Sequence, residues 1–284
     1  MGGLSFGLNI AALLSIVAVV AWGCGGGDDG ARGTRRPTSV GEAAYHVIDV
    51  VNGGTLAGSV LWVGPQPELP TVRVEHHVAE CGAERTLEAL SVGPRGGVGA
   101  TVVYLDAVTE GHALPEGPFD VAFRGCALAP RVLAVPAGAS IRFHNDEDVL
   151  HNLHASRGGA APWADLGLPA RGTEATVSAP AAGVSTLLDD AGHPWISGFV
   201  HSFDHPYYAV TDADGRFRIP AIPPGQYTVR AWHEGVRVVP GEVRSGRPRL
   251  SAPLVLARPV VVTAGVETTV DFQLDLAAVE AAGD

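Results

Sequence analysis

The sequence contains no lysine: all 19 basic residues are arginine. That absence excludes chemistry built on an ε-amine, namely the P-loop and kinase lysines, a pyridoxal Schiff base and a lysine-activated serine. Charge is scarce too, at 17% of residues, and its balance is acidic, with a formal net charge of −11. Nucleic-acid affinity comes mainly from cations that neutralise phosphates, so no nucleic-acid partner is expected. Cysteine is limited to Cys24, Cys81 and Cys126, and no two of them have the CxxC spacing of a zinc knuckle or a thioredoxin motif. No HExxH, paired-carboxylate motif or strand-borne nucleophile elbow is present, so the chain is not expected to be an enzyme.

What the chain does have is 46% apolar residues together with 37 glycines and 21 prolines. Disordered chains are poorer in apolar residues, and helical ones poorer in Gly and Pro. Many short strands joined by tight turns produce this mixture. The 284 residues predict roughly two domains.

The N-terminus reads as an address. Ile10 to Trp22 is an uncharged apolar run, shorter than the ~20 residues of a membrane helix and of the length of a secretory h-region. It ends at Gly23-Cys24, and Ala21-Trp22-Gly23-Cys24 resembles the bacterial lipoprotein box, in which the cysteine becomes the acylated N-terminus. The resemblance implies a signal peptide over 1–23, lipidation at Cys24 and a periplasmic or cell-surface lipoprotein whose partner is the envelope membrane. An ordinary cleaved signal and an uncleaved anchor are the other readings. Residues 24–43, rich in Gly, Arg and Thr, are expected to be a flexible linker. In an oxidising compartment Cys81 and Cys126 are expected to pair.

The remainder reads as strands. Tyr45–Val51, Asn52-Gly53-Gly54 and Thr55–Val63 suggest a hairpin, because Asn-Gly supplies the positive φ of tight turns. Further β-rich runs fall at 101–105, 119–123, 131–135, 140–143 and 184–188, and one helical turn is expected near 86–90. Asp212-Ala-Asp214-Gly215 is a turn, Arg216–Ile219, Pro-Pro-Gly and Gln226–Trp232 predict a second hairpin, and 240–253 reads as a loop. Trp232-His233-Glu234 reads as a solvated strand end.

Seven of the 11 histidines fall between His144 and His233. The informative ones are His151-Asn152-Leu153-His154 and, about 40 residues later, Asp189-Asp190-Ala191-Gly192-His193-Pro194-Trp195-Ile196. Two histidine loops meeting at one end of a sandwich, the second beside carboxylates, form a donor set for a divalent metal.

These segments carry a family resemblance. NGGTLAGSVLW at 52–62, PRVLAVPAGASIRFHNDEDVLHNLHA at 130–155 and HPWISGFVHSFDHPYYAVTDADGRFRIPAIPPGQYTVRAWHE at 193–234 resemble a plastocyanin-like cupredoxin of the methylamine-utilisation type, running on into a carboxypeptidase regulatory-like domain. The resemblance implies an all-β fold, a Greek-key cupredoxin-like sandwich over 44–204 followed by a small prealbumin-like β-sandwich over 205–284. In that family a histidine matching His151 and a Cys-x-x-His-Pro-Trp-Met segment hold blue copper. Here His151 and His193 are kept, whereas Asp190 stands at the cysteine position and Ile196 at the methionine position. Without the thiolate a blue site cannot form.

Asp189 and Asp190 point to opposite faces if the strand before them runs on, and the spacing favours Asp190 as the ligand. Asp189 and His154 are the alternates, and His144, His201 and His205 are expected at the surface or a junction. Two functional readings follow. One is a degenerate cupredoxin without a physiological metal, acting as a binding or scaffold module with impaired electron transfer and a protein partner of undefined chemistry. The other is a non-blue Cu(II) or Zn(II) protein using His151, His193 and Asp190.

Overall fold

The computed structural model describes residues 44–277. The signal peptide expected at 1–23, the lipidation at Cys24 and the linker at 24–43 lie outside the described residues.

The fold is all-β, as expected, and built of two sandwiches. In the first, a four-stranded sheet runs in the order Glu174–Ser178, Ser140–Asn145, Phe119–Phe123, Leu128–Ala129. It faces a five-stranded sheet ordered Ala164–Leu168, His151–Ser156, Gly183–Asp189, Ser197–Phe203, Val132–Pro136. Period-2 patterning explains why these segments are strands: Ile141 and Phe143 are buried while Ser140 and Arg142 between them are exposed. Phe123, Phe143, Ile141, Leu153 and Leu187 fill the space between the sheets. Each such side chain contributes about 1.5–3 kcal/mol by leaving water.

The second sandwich packs the sheet Tyr208–Val210, Val102–Leu105, Gly225–His233, Leu254–Val262 against Arg216–Ile222, Gly54–Trp62 and the parallel pair Glu267–Thr269 and Phe272–Leu274. Its core holds Leu56, Val60, Leu105, Phe217, Ile219, Val229 and Phe272. A smaller cluster of Val102, Val132, Phe203 and Trp232 draws on strands of both sandwiches.

The linear division expected at 204/205 does not describe this arrangement. Gly54–Trp62 and Val102–Leu105 belong to the sandwich of the C-terminal strands, so the histidine-bearing sandwich is set between two parts of the other. The expected 45–63 hairpin is absent for the same reason. Asn52 does take positive φ, at 55°, yet Gly54–Trp62 pairs with Arg216–Ile222, and His46–Val47 pairs with Glu110–Gly111. The alternation of Leu56, Val60 and Trp62 finds its apolar counterpart in the C-terminal strands, and tertiary burial overrides the local turn.

The Pro-Pro-Gly turn likewise carries the chain from one sheet to the other, since Arg216–Ile222 and Gly225–His233 lie in different sheets. The supposed loop at 240–253 contains a real hairpin, Val238–Arg244 with Arg247–Leu250. The helical turn sits at Val78–Cys81 rather than at 86–90, which begins at the last residue of the strand Glu84–Thr86.

Cys81 and Cys126 form the expected disulfide, Cα to Cα 5.6 Å, across 45 residues. Closing a loop of that length stabilises the fold by about 4 kcal/mol through the unfolded chain.

Candidate metal centre

His151 opens the strand His151–Ser156 and Asp189 closes Gly183–Asp189, two neighbours in the five-stranded sheet. Along the latter strand Ser185, Leu187 and Asp189 are the buried positions, so the pleat turns Asp189 inward and Asp190 outward. The carboxylate beside the two histidines is therefore Asp189 and not the Asp190 expected from spacing. Asp190 is half exposed, with a carboxylate oxygen 3.6 Å from His154 Nδ1 on the outer face. His154 is therefore outside the centre as well. The segment kept its strand through residue 189, and that shifts the carboxylate by one position.

His193 comes from the loop that follows. His151, Asp189 and His193 are all buried, and one ligand atom from each lies within 4.8 Å of the others. One oxygen, Asp189 Oδ2, accepts from both His151 Nδ1 at 2.6 Å and His193 Nδ1 at 2.7 Å. The other, Oδ1, accepts the backbone N–H groups of Asn152 at 3.0 Å and Ala191 at 2.9 Å. Burial pushes the Asp189 pKa up, but the hydrogen bonds from the two histidines and the two amides outweigh it and hold the carboxyl well below its usual range. Asn152 braces the two loops through its backbone, since its carbonyl also accepts from Asp190 N–H at 2.9 Å.

The far side of each ring meets a polar partner. His151 Nε2 lies 3.1 Å from Glu147 Oε2, and His193 Nε2 lies 3.1 Å from His77 Nδ1. Phe123 stacks on His151 with centroids 4.1 Å apart, and the rings of Trp195 and His77 flank His193. Gly192, at φ +91°, lies beneath His76, where a Cβ would come within 3.0 Å of the ring. Ile196, at the family's methionine position, packs into the core of the first sandwich.

The donor set fits a divalent ion. A histidine that ligates through one nitrogen ordinarily donates its other N–H to a carboxylate, carbonyl or comparable acceptor, which sets its tautomer. Here both Nδ1 atoms converge on one carboxylate oxygen, while the Nε2 atoms stand against Glu147 Oε2 and His77 Nδ1. One carboxylate and two imidazoles without sulfur suit Cu(II) or Zn(II).

A separate hairpin reaches this centre. From Val238–Arg244 and Arg247–Leu250, Arg247 donates to the carbonyl of Pro194 at 2.8 Å and of Ile196 at 3.1 Å, holding the loop that carries His193. Burial lowers the Arg247 pKa, opposed by the charges of Asp190 and Asp189.

Glu147, His77 and Arg247 were not singled out from sequence. Glu147 had a weak signal, four residues before His151. His77 and Arg247 had none, being 116 residues from His193 and 53 from Pro194 respectively.

Between the sandwiches lies a cavity of about 630 Å³ lined in part by Arg131, His233 and Glu234. None of the three metal-centre residues lines it, and an ion needs converging donors rather than a large hollow. His233 and Glu234 are buried, not a solvated strand end, and Arg131 pairs with Glu234 through both oxygens. His201 is buried beside Trp232 in the junction cluster, with centroids 4.3 Å apart.

Residues 173–275 match the carboxypeptidase regulatory-like domain family. The match starts before the expected boundary at 205 and takes in strands of both sandwiches. Among solved structures the chain is similar to the following. A purple cupredoxin from Nitrosopumilus maritimus is 16% identical, covering 30% of this chain and 100% of that one, with a TM-score of 0.27. Amicyanin from Paracoccus versutus is 17% identical over 32% of this chain and 85% of its own, with a TM-score of 0.28. Auracyanin A from Chloroflexus aurantiacus is 23% identical over 31% of this chain and 100% of its own, TM-score 0.28. No curated protein matches the chain. The matched family is the one that the motif at 193–234 resembles.

Proposed function

We propose that the protein is a non-catalytic metal-binding module of the cell envelope, holding one Cu(II) or Zn(II) ion in its first sandwich. The ligands are the Nδ1 atoms of His151 and His193 and the carboxylate of Asp189. One observation carries this reading: both Nδ1 atoms lie within 2.7 Å of a single Asp189 oxygen, while both Nε2 atoms are engaged by Glu147 and His77. A bound ion would neutralise the buried carboxylate, and lacking a thiolate partner it would cycle poorly between redox states. Around it, Glu147 and His77 orient the imidazoles, the amides of Asn152 and Ala191 orient the carboxylate, and Phe123 and Trp195 limit the entry of water.

Export and lipid anchoring are supported by the apolar run Ile10–Trp22 ending at Cys24. The envelope membrane is then the partner, reached through the acyl chains. Cys24→Ser should move the protein from the membrane to the soluble fraction and remove the lipid mass from the mature chain.

A second reading has its own observation: the Asp189 hydrogen bonds are complete without an ion, so the cluster can serve as a structural tie in a metal-free scaffold. Calorimetric titration with Cu(II) and Zn(II), with electron paramagnetic resonance on the copper sample, separates the two. One equivalent bound, a tetragonal copper signal, and loss of both on His193→Ala are the expected results. Binding no tighter than in a His151→Ala control would leave the scaffold.

A further inference from the structure

We infer, building on the metal reading, that the Cys81–Cys126 disulfide is a redox-sensitive clamp on the centre, acting through two positioning residues, His77 and Glu147. Each sulfur leads to the outer nitrogen of one histidine. Cys81 N–H donates to the carbonyl of His77 at 2.8 Å, and His77 Nδ1 stands against His193 Nε2. Cys126 N–H donates to Glu147 Oε1 at 2.8 Å, and the other oxygen of Glu147 stands against His151 Nε2. The Cys126 carbonyl also accepts Trp195 Nε1–H at 3.0 Å, two residues beyond His193. The disulfide thus joins the outer supports of both imidazoles.

Both ends need holding. The helix that carries Cys81 has four residues and no side-chain cap, too few to persist by local bonding. His77 and Cys126 occupy the left-handed region, at φ +57° and +56°, a conformation that residues with a Cβ leave when released. Val78, Ala79 and Glu80 are exposed, so fraying of that single turn brings Cys81 within reach of a reductant.

A dithiol opens the bond by exchange. Its two thiols become a disulfide, and the two electrons and two protons pass to Cys81 and Cys126, which become thiols. His77 and Glu147 then lose their anchorage. Loss of such supports weakens metal affinity by about 10–100-fold.

The test compares the full chain, disulfide intact, with Cys81→Ser/Cys126→Ser. Release of Zn(II) to excess EDTA should be at least tenfold faster in the double variant. Without metal, diethyl pyrocarbonate should label His151 and His193 at least tenfold faster in it, while far-ultraviolet circular dichroism stays the same. Glu147→Gln should speed release in the intact chain and add little in the double variant, because both act on one support.

Equal labelling rates, or additive effects of Glu147→Gln, overturn the clamp. If the intact chain binds no Zn(II), the metal reading fails while the labelling still decides the clamp. If the double variant does not fold, His77→Ala with the disulfide intact takes its place. It should speed labelling of His193 and leave His151 protected, and labelling of neither would overturn the proposal.

Discussion

Asp189 and Asp190 are adjacent, and their substitution separates a ligand from a bystander. In Asp189→Asn the amide keeps the shape of the carboxylate. Its oxygen can accept the N–H groups of Asn152 and Ala191, and its NH2 has two protons for the two Nδ1 atoms. The imidazoles then carry their protons on Nε2, facing Glu147 and His77. No buried group loses its partner, so the metal-free variant should melt within a few degrees of the parent. Its metal affinity should nonetheless fall at least about 100-fold, because the amide brings neither charge nor a good donor toward the histidines.

Asp189→Ala differs. It strands the two buried histidine Nδ1 groups at about 1–3 kcal/mol each, a loss of roughly 2–6 kcal/mol. At about 2–4 °C per kcal/mol for a protein of this size, the melting temperature should drop on the order of 10 °C. Asp190→Asn, at a half-exposed carboxylate, should change neither property. Thermal melts of the metal-free chains and zinc titrations of all three variants provide the check. Loss of binding in Asp190→Asn with binding kept in Asp189→Asn would refute the assignment, and a parent-like melt of Asp189→Ala would refute the hydrogen-bond accounting.

Further outcomes follow from the same structure. Burial lowers the pKa of His201 to about 3, and burial followed by the charge of Arg131 lowers that of His233 to about 4. Above pH 6.5 both are neutral whether folded or not. As the pH falls below 6.5 the unfolded chain takes up protons that the folded chain refuses, so urea stability should decline by up to about 1.4 kcal/mol per pH unit for each histidine, and His233→Gln should remove one share. Arg131→Ala leaves Glu234 buried and unpaired and should cost about 3–5 kcal/mol, whereas replacing both by apolar residues should cost far less in the same denaturation assay. Arg247→Ala removes two hydrogen bonds from the loop of His193 and should raise the zinc release rate severalfold in stopped-flow chelation while leaving the far-ultraviolet spectrum unchanged.

Much of this molecule is legible in its chain. The alternation at 140–143, the Gly and Pro punctuation and the scarcity of helical stripes specify an all-β fold, because burial on a pleated sheet has a period of two. The pairing of Cys81 with Cys126 and the meeting of His151 with His193 were legible too, the first from two lone cysteines in a chain expected to be exported and the second from the motifs around them.

Pairing partners were not legible. Gly54–Trp62 and Arg216–Ile222 each sit next to good turn sequences, yet they pair with each other across the chain. A strand's amphipathic face records that it is buried but not against which strand. The choice of Asp189 over Asp190 depended on where the strand ends, a one-residue matter that inverts a side chain's direction. Glu147, His77 and Arg247 are polar residues on separate loops whose meeting depends on packing, and Glu234 reads as solvated until Arg131 is brought beside it. Local periodicity and residue chemistry therefore determined the strands, the disulfide and the two histidines of the cluster. The carboxylate between them, the supports behind the histidines and the interleaving of the sandwiches were decided by tertiary structure, because each depends on which distant surfaces bury one another.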